Sequence, residues 1–487
     1  MSLRIHRRGF LTASIGLGSL SMLAACGAAA TPTPAPVAKP AESVKPATTA
    51  PTAATTAPTA APATKPAEPA KPAAEAKPAV EAKPAAATKA QGTITFWGHE
   101  NHPVPNAIPG YEERNPGMKV KYEALGDWLV KFKATLASGT DVPDLIWSSA
   151  ADVQDLGSKG VLLDVTEIVA PKKDQLAKGK LTEVQIAKTG KYMGVPGDIG
   201  LSGLWYREDI VQKAGMKEFP KDLKFEDFVK FAAQLKKDSD VAAFVFPKGG
   251  YNQAFQILLS QNGGSVTSLD GATVTIDDDK GVAAMTQVKQ LFDTGAGLDA
   301  ERPAPTYWAA VKSGKLASDF SPAWYRGFFL GEMKTPADGL GQWRVIPMPT
   351  VPNGVSRTGQ VGGANLISTK FTKFPDQVRA FQDFAFMNID GATAVGSWGI
   401  IPSFLPYLDS PAFQNQKSPV FGEFLFSKVW AELAKELSPA YARTAVFNES
   451  MTTVTQTMGP IMRGEVPVKE GMKKIGDLVR QANARYQ

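Results

Sequence analysis

Between Gly190 and Asp209 the chain reads G-K-Y-M-G-V-P-G-D-I-G-L-S-G-L-W-Y-R-E-D, two short aromatic and aliphatic runs separated by glycines and one proline. Such runs form strands, and glycine between them accepts the backbone dihedrals that a crossover needs. Strand-helix units precede this stretch and another set follows it. The segment therefore predicts a chain that leaves one lobe and enters a second, with a cleft between the two.

The units on the N-terminal side are read from their periodicity. A strand over 92–97 alternates its faces and empties into Gly98-His99-Glu100-Asn101-His102, and a loop after a strand in an open sheet is where ligands sit. His99 and His102 are separated by two residues in a loop that continues into Pro103. That spacing does not match the H-E-x-x-H zinc helix, so no metal is expected there. A helix over 108–114 is stopped by Asn115-Pro116-Gly117, and a strand follows over 119–124. Trp128, Leu129, Phe132 and Leu136 recur at helical spacing just after Asp127, and a buried strand over 143–147 leads into Ser148-Ser149.

The units on the C-terminal side repeat the pattern. Phe225, Phe228, Phe231, Ala232 and Leu235 make an apolar helical stripe; a strand over 242–246 then runs into the polar loop Gly249-Gly250-Tyr251-Asn252. Helices are predicted over 253–261 and 279–293. A strand over 316–320 carries Asp319 and empties into Ser321-Pro322-Ala323-Trp324. Alternating strands and helices predict an α/β fold whose sheets are covered on both faces.

The first 91 residues predict something else. Arg4, Arg7 and Arg8 precede an apolar run over 10–25 that is too short and too rich in Gly and Ser to span a bilayer, so it is read as a signal peptide. H-R-R-G-F-L-T resembles a twin-arginine export signal, and Leu23-Ala24-Ala25-Cys26 resembles a bacterial lipobox, in which the cysteine becomes lipidated. Cys26 is the only cysteine in the chain, so neither an internal disulfide nor a cysteine-based site is available to the globular part. Residues 27–91 collapse to Ala, Pro, Thr, Lys and Glu, too poor in large apolar groups to offset ordering entropy. They are expected to form a disordered spacer that reaches up to about 200 Å at about 3 Å per residue.

That spacer also explains the charge. Residues 1–90 hold 10 of the 53 Lys and Arg but 4 of the 47 Asp and Glu, which leaves 43 of each for the rest. The globular part is neutral, which argues against a nucleic-acid surface.

Several phrases, taken in order, are similar to those of extracellular solute-binding proteins of the maltose-binding type. They are I-T-F-W at Ile94, E-E-R-N-P-G-M-K-V at Glu112, A-S-G-T-D-V-P-D-L-I at Ala137, G-K-Y-M-G-V-P at Gly190, L-W-Y-R-E-D at Leu204, S-G-K-L-A at Ser313 and S-P-A-W at Ser321. The resemblance covers most of residues 92–487. It implies a type II-like periplasmic-binding fold, two α/β lobes joined by three crossings at 190–209, 345–365 and 388–402. Lobe 1 is then 92–200 with 360–392, and lobe 2 is 201–359 with 393–487. The resemblance also implies a monomer that captures a solute without cofactor or catalysis and delivers it to a membrane ABC importer. It puts Trp324 against the ligand, Gly363 and Asn365 on the second crossing, and Trp398 near the third.

The ligand class is read from aromatics. Trp147, Trp205 and Trp430 are expected in the core, whereas Trp97, Trp128, Trp324 and Trp398 border strand ends, helix starts or crossings, where an indole face can stack on a sugar ring. His99, Glu100, Asp127, Ser148, Ser149, Asp198, Tyr251, Asp319 and Asn365 are the candidate polar partners. Few Lys or Arg share their loops, which favours a neutral polyol. Two rivals remain: a polyamine held in an acidic aromatic cage, and a glycosidase using Glu100 with Asp198 as its carboxylate pair.

Overall fold

The computed structural model describes residues 91–247, 252–437 and 441–487; Cys26, Tyr251 and the expected leader and nearly all of the spacer lie outside them. Ten strands run in chain order within the described residues: β1 Gly92–Gly98, β2 Met118–Ala124, β3 Leu145–Ser148, β4 Val195–Pro196, β5 Ser202–Arg207, β6 Phe244–Val245, β7 Gly297–Leu298, β8 Ser318–Pro322, β9 Trp343–Ile346 and β10 Asn365–Ser368.

The first lobe is built on a mixed sheet in the order β2-β1-β3-β10-β4. β1 is parallel to both β2 and β3, while β10 returns from far along the chain to lie antiparallel between β3 and β4. Helices cover the sheet, which is why β3 is apolar along most of its length and buried throughout rather than alternating. Ser149 caps the helix Ala150–Ser158 by accepting a hydrogen bond from the Asp152 amide, a cap that contributes about 1 kcal/mol.

The second lobe has β5 at the centre of a three-stranded antiparallel sheet, β8-β5-β9, with the short parallel pair β6-β7 beside it. A parallel bridge between Ala242 and Leu316 brings the two together. Its last helix, Val468–Asn483, shows how sequence pattern sets packing: Met472, Ile475, Val479 and Ala482 are buried at helical spacing, and the remaining surface is mostly polar, with Leu478 exposed on it. Trp205 and Trp430 are wholly buried on this side, with ring centroids 6.3 Å apart.

Three chain segments run side by side between the lobes. Backbone hydrogen bonds join Val361 to Gly200 at 2.9 Å, Asp198 to Ala364 at 3.1 Å, Ile199 to Ile401 at 2.8 Å and Ser403 to Gly197 at 2.8 Å. The helix Ile389–Trp398 corrects the expected course of the third segment. The boundary expected at residue 393 falls inside it, and the helix packs mainly against Val104–Ala107 and Pro375–Phe386 of the first lobe, while Trp398 at its end meets Gly327. Buried Ala392 and Val395 on its inner face account for this, and the chain turns only at Gly399, whose φ of 142° is a conformation that glycine adopts and other residues rarely do.

Candidate ligand-binding cleft

A cleft of about 700 Å³ opens where the crossing segments meet the two lobes, within the size range of small-molecule sites. Trp128, His99, Ser148 and Ser149 line it from the first lobe, Trp324 from the second, and Asp198, Gly363 and Trp398 from the crossings or next to them.

The aromatic side is a continuous wall. Phe328 stands between Trp324 and Trp398, with ring centroids 5.9 and 5.8 Å away, both edge to face. Each indole has already used its N–H: Trp324 Nε1 donates to the Val361 carbonyl and Trp398 Nε1 to Asn101 Oδ1, both at 3.0 Å. What these rings offer a ligand is carbon surface. Trp147, expected in the core, has its ring stacked on Phe386 and an edge that reaches the cleft.

The polar side joins the expected hydroxyls of Ser148 and Ser149 to side-chain amides that the sequence does not announce. Gln253 and Gln256 sit on the helix Asn252–Gln261; their side-chain nitrogens donate to the Phe320 carbonyl at 2.8 Å and to Asn252 Oδ1 at 3.1 Å. Within the described residues neither amide oxygen has a partner, so each is available as an acceptor. Asn448, on the helix Phe447–Met462, reaches across the cleft to donate to Ser149 Oγ at 3.3 Å, so the two lobes touch there. The Ser148 and Ser149 hydroxyls donate to Asp152, at 3.2 and 2.6 Å.

The floor is charged and internally matched. Glu183, on the helix Lys178–Val184, accepts from Arg443 Nη2 at 2.7 Å and Nε at 3.1 Å, from Gln360 at 2.7 Å, from Asn365 at 3.2 Å and from Lys180. Burial alone would raise the Glu183 carboxyl, but Arg443 and Lys180 outweigh it and hold the group below its ordinary value. Arg443 also donates to the carbonyls of Gly362 and Gly363, whose φ angles of 62° and 77° turn the crossing backbone toward it. Asp198 accepts from the Ala364 amide at 2.7 Å; burial pushes its carboxyl upward against the opposing pull of Lys180.

Several expected residues lie elsewhere. Trp97 is buried in the first core with Lys131 Nζ 4.4 Å over its ring, because β1 is covered on both faces and a strand end need not open on the cleft. Glu100 and Asp127 are exposed and stand outside the cleft lining. Asp319 is wholly buried in an ion pair with Arg302 at 2.8 Å and accepts from Tyr307 at 3.2 Å, facing the helix Pro305–Lys312. Asn365 is wholly buried and belongs to the floor network beneath the surface. With Glu100 outside, the carboxylate pair imagined for a glycosidase is not built. A further cavity of about 520 Å³ behind the second lobe borders Arg207 and Asp209, which neutralise one another at 2.8 Å.

Comparison with known proteins agrees with this architecture. The arabinooligosaccharide-binding protein of Halalkalibacterium halodurans is 24% identical over 391 residues, covering 74% of this chain and 85% of that protein. The lactose-binding protein of Rhizobium radiobacter is 25% identical over 413 residues, covering 79% and 92%. Among solved structures, the ABC transporter associated binding protein from B. animalis subsp. lactis, in complex with β-1,6-galactobiose, shares the fold with a TM-score of 0.69 at 21% identity, over 82% of this chain and 98% of that one. The sequence profile of a family of binding proteins, not enzymes, matches residues 99–388, more than half of the chain. Two α/β lobes around a cleft agree with the fold of that solved neighbour, and the chain belongs to the bacterial extracellular solute-binding protein family.

Proposed function

We propose that the cleft captures a neutral carbohydrate, a sugar or short oligosaccharide, and that the protein acts as a monomer to deliver it to an ABC importer. The observation that carries this reading is the spent N–H of both Trp324 and Trp398. Rings restricted to carbon contacts suit the C–H faces of a sugar, while the free amide oxygens of Gln253 and Gln256 suit its hydroxyls. The relatives named for arabinooligosaccharides and lactose, and the neighbour bound to β-1,6-galactobiose, support the same class. A polyamine needs surplus negative charge, whereas Asp198 lies among Arg443 and Lys180, and Asp319 is tied to Arg302.

The test is calorimetric titration with arabinotriose, lactose, β-1,6-galactobiose and spermidine, with small-angle scattering of each mixture. Binding of a sugar with compaction of the protein supports the reading, because a ligand touching both lobes favours their closed arrangement. Binding of spermidine alone would overturn it. The leader completes the proposal: export by a twin-arginine-type signal and lipidation of Cys26 would hold the protein on the outer face of the cell membrane. Retention of Cys26→Ala on membranes with lipid label intact would refute the anchor.

A further inference from the structure

Trp398 ends a helix of the first lobe, yet its ring is seated on the second. A Cβ added to Gly327, on the helix Tyr325–Glu332, would lie 2.7 Å from Trp398 Cη2 and 2.8 Å from both Cε2 and Cε3. Those are alternate atoms of the six-membered ring, so near-equal distances put the Gly327 Cα–H directly under the ring centre. One face of the indole is thus covered by backbone, its N–H is held by Asn101, and its edge meets Phe328.

The preceding residue secures the same helix end. Arg326 is buried, and its Nη2 donates to the carbonyls of Gly396 at 2.8 Å and Ser397 at 3.4 Å, the last turn before Trp398. Within the described residues no carboxylate pairs with it; its guanidinium lies 4.9 Å over the Phe426 ring. A cation at a helix C-terminus is favoured by the carbonyl dipoles gathered there. Burial draws this guanidinium down to about 10. A buried cation without a carboxylate partner is costly, and here its hydrogen bonds go to the two carbonyls that fix Trp398.

We propose that Arg326 and Gly327 are positioning residues that hold Trp398 flat and leave its outer face as a ring-binding surface, a specificity determinant of the cleft. This rests on the reading of the cleft as a sugar site. A methyl at position 327 cannot fit under the ring, so Trp398 must lift into the space a ligand ring would fill. Arg326→Lys keeps the charge but contacts the carbonyls with a single nitrogen on a flexible stem.

The experiment has one arm without ligand and one with it. The protein is labelled with 5-fluorotryptophan, and the Trp398 signal is identified by its loss in Trp398→Phe. In ligand-free protein, Gly327→Ala is expected to move that signal and Arg326→Lys to broaden or shift it less; an unmoved signal in both variants overturns the proposal, whatever the protein binds. In the second arm, the tightest binder among arabinotriose, lactose and β-1,6-galactobiose is titrated. Gly327→Ala is expected to weaken it tenfold or more in the wild-type background and not at all further in Trp398→Ala. Equal weakening in both backgrounds, as general destabilisation would give, or unchanged affinity in Trp398→Ala, overturns it. A wild-type protein that binds none of the three sugars refutes the sugar reading instead, and the fluorine arm still decides the positioning. Should Gly327→Ala fail to fold, Arg326→Lys carries both arms.

Discussion

Beneath the cleft, Glu183 gathers Arg443, Lys180, Gln360 and Asn365 into one buried network, so that a side chain from the second lobe is tied to a helix of the first through charge. Along the wall, another inter-lobe contact has no matched charge among the described residues: Arg326 meets carbonyls and a ring, and Trp398 lies on bare backbone at Gly327. The floor is stable only if every partner is present, because each removed group leaves a buried charge behind. The wall is held by carbon contact beside an open cleft, where a change of shape at one ring is passed to its neighbours. The floor should therefore govern folding and the wall should govern binding.

The largest effect that separates them is expected at Glu183. Glu183→Ala strands the Arg443 and Lys180 cations in a dry interior, a loss of about 3–5 kcal/mol for a broken buried pair. Urea unfolding of the wild type and the variant measures this directly. A midpoint shift equivalent to less than about 1 kcal/mol, the scale of a surface pair, would show that the floor is not a buried electrostatic tie.

Next comes Trp324→Ala, on the wall. Its indole hydrogen bond to the Val361 carbonyl is lost with the ring, but its surface faces a solvent-filled cleft, so folding should change little. Binding should weaken by about 2–4 kcal/mol, the range of a buried aromatic anchor. If unfolding and titration of this variant gave the reverse pattern, with stability lost and affinity kept, the division between floor and wall would fall.

The wall was more legible in the sequence than the floor, for a physical reason. Trp324 follows a strand that local periodicity predicts and the glycines of the crossings mark themselves, whereas Trp398 ends a helix that periodicity does not predict and is placed near a crossing by the family resemblance. The tie between Glu183 and Arg443 joins residues 260 apart, and no local pattern announces it. Asp319 shows the same limit from the other side. It looked like a cleft acceptor because few cations stood in its own loop, yet Arg302 reaches it from another segment. Trp97 misleads differently: it is a candidate because it borders a strand end, but a sheet covered by helices buries both Phe96 and Trp97. The glutamines of Asn252–Gln261 were legible as a helix, but only folding turns that helix's start toward the cleft.

The smallest expected effect comes from pH, and it tells wall from floor without a cleft mutation. His102 is buried behind the first-lobe side of the cleft, with its ring 5.3 Å from Trp147, 5.5 Å from both Phe96 and Tyr122, and 4.9 Å from His99. Its Nδ1 accepts from the Val104 amide at 3.2 Å, which assigns the single ring proton to Nε2 and leaves no room for a second. Burial, with His99 adding to it, holds the imidazole well below its model-compound value of 6.5 in the folded state. The unfolded chain then binds the extra proton first. Its contribution is fully present above pH about 6.5 and is lost as pH falls from there toward the folded value, at up to about 1.4 kcal/mol per pH unit. Glu183, held below its ordinary value, stays ionised across that window, so the floor should not weaken with it. Urea unfolding between pH 7.5 and 5.5, a range of about two units around the ordinary histidine value, should show wild type losing stability relative to His102→Phe as the pH drops. Parallel profiles for the two proteins would mean that His102 takes up its proton in the folded wall, and the apolar character assigned to that wall would then stop short of it.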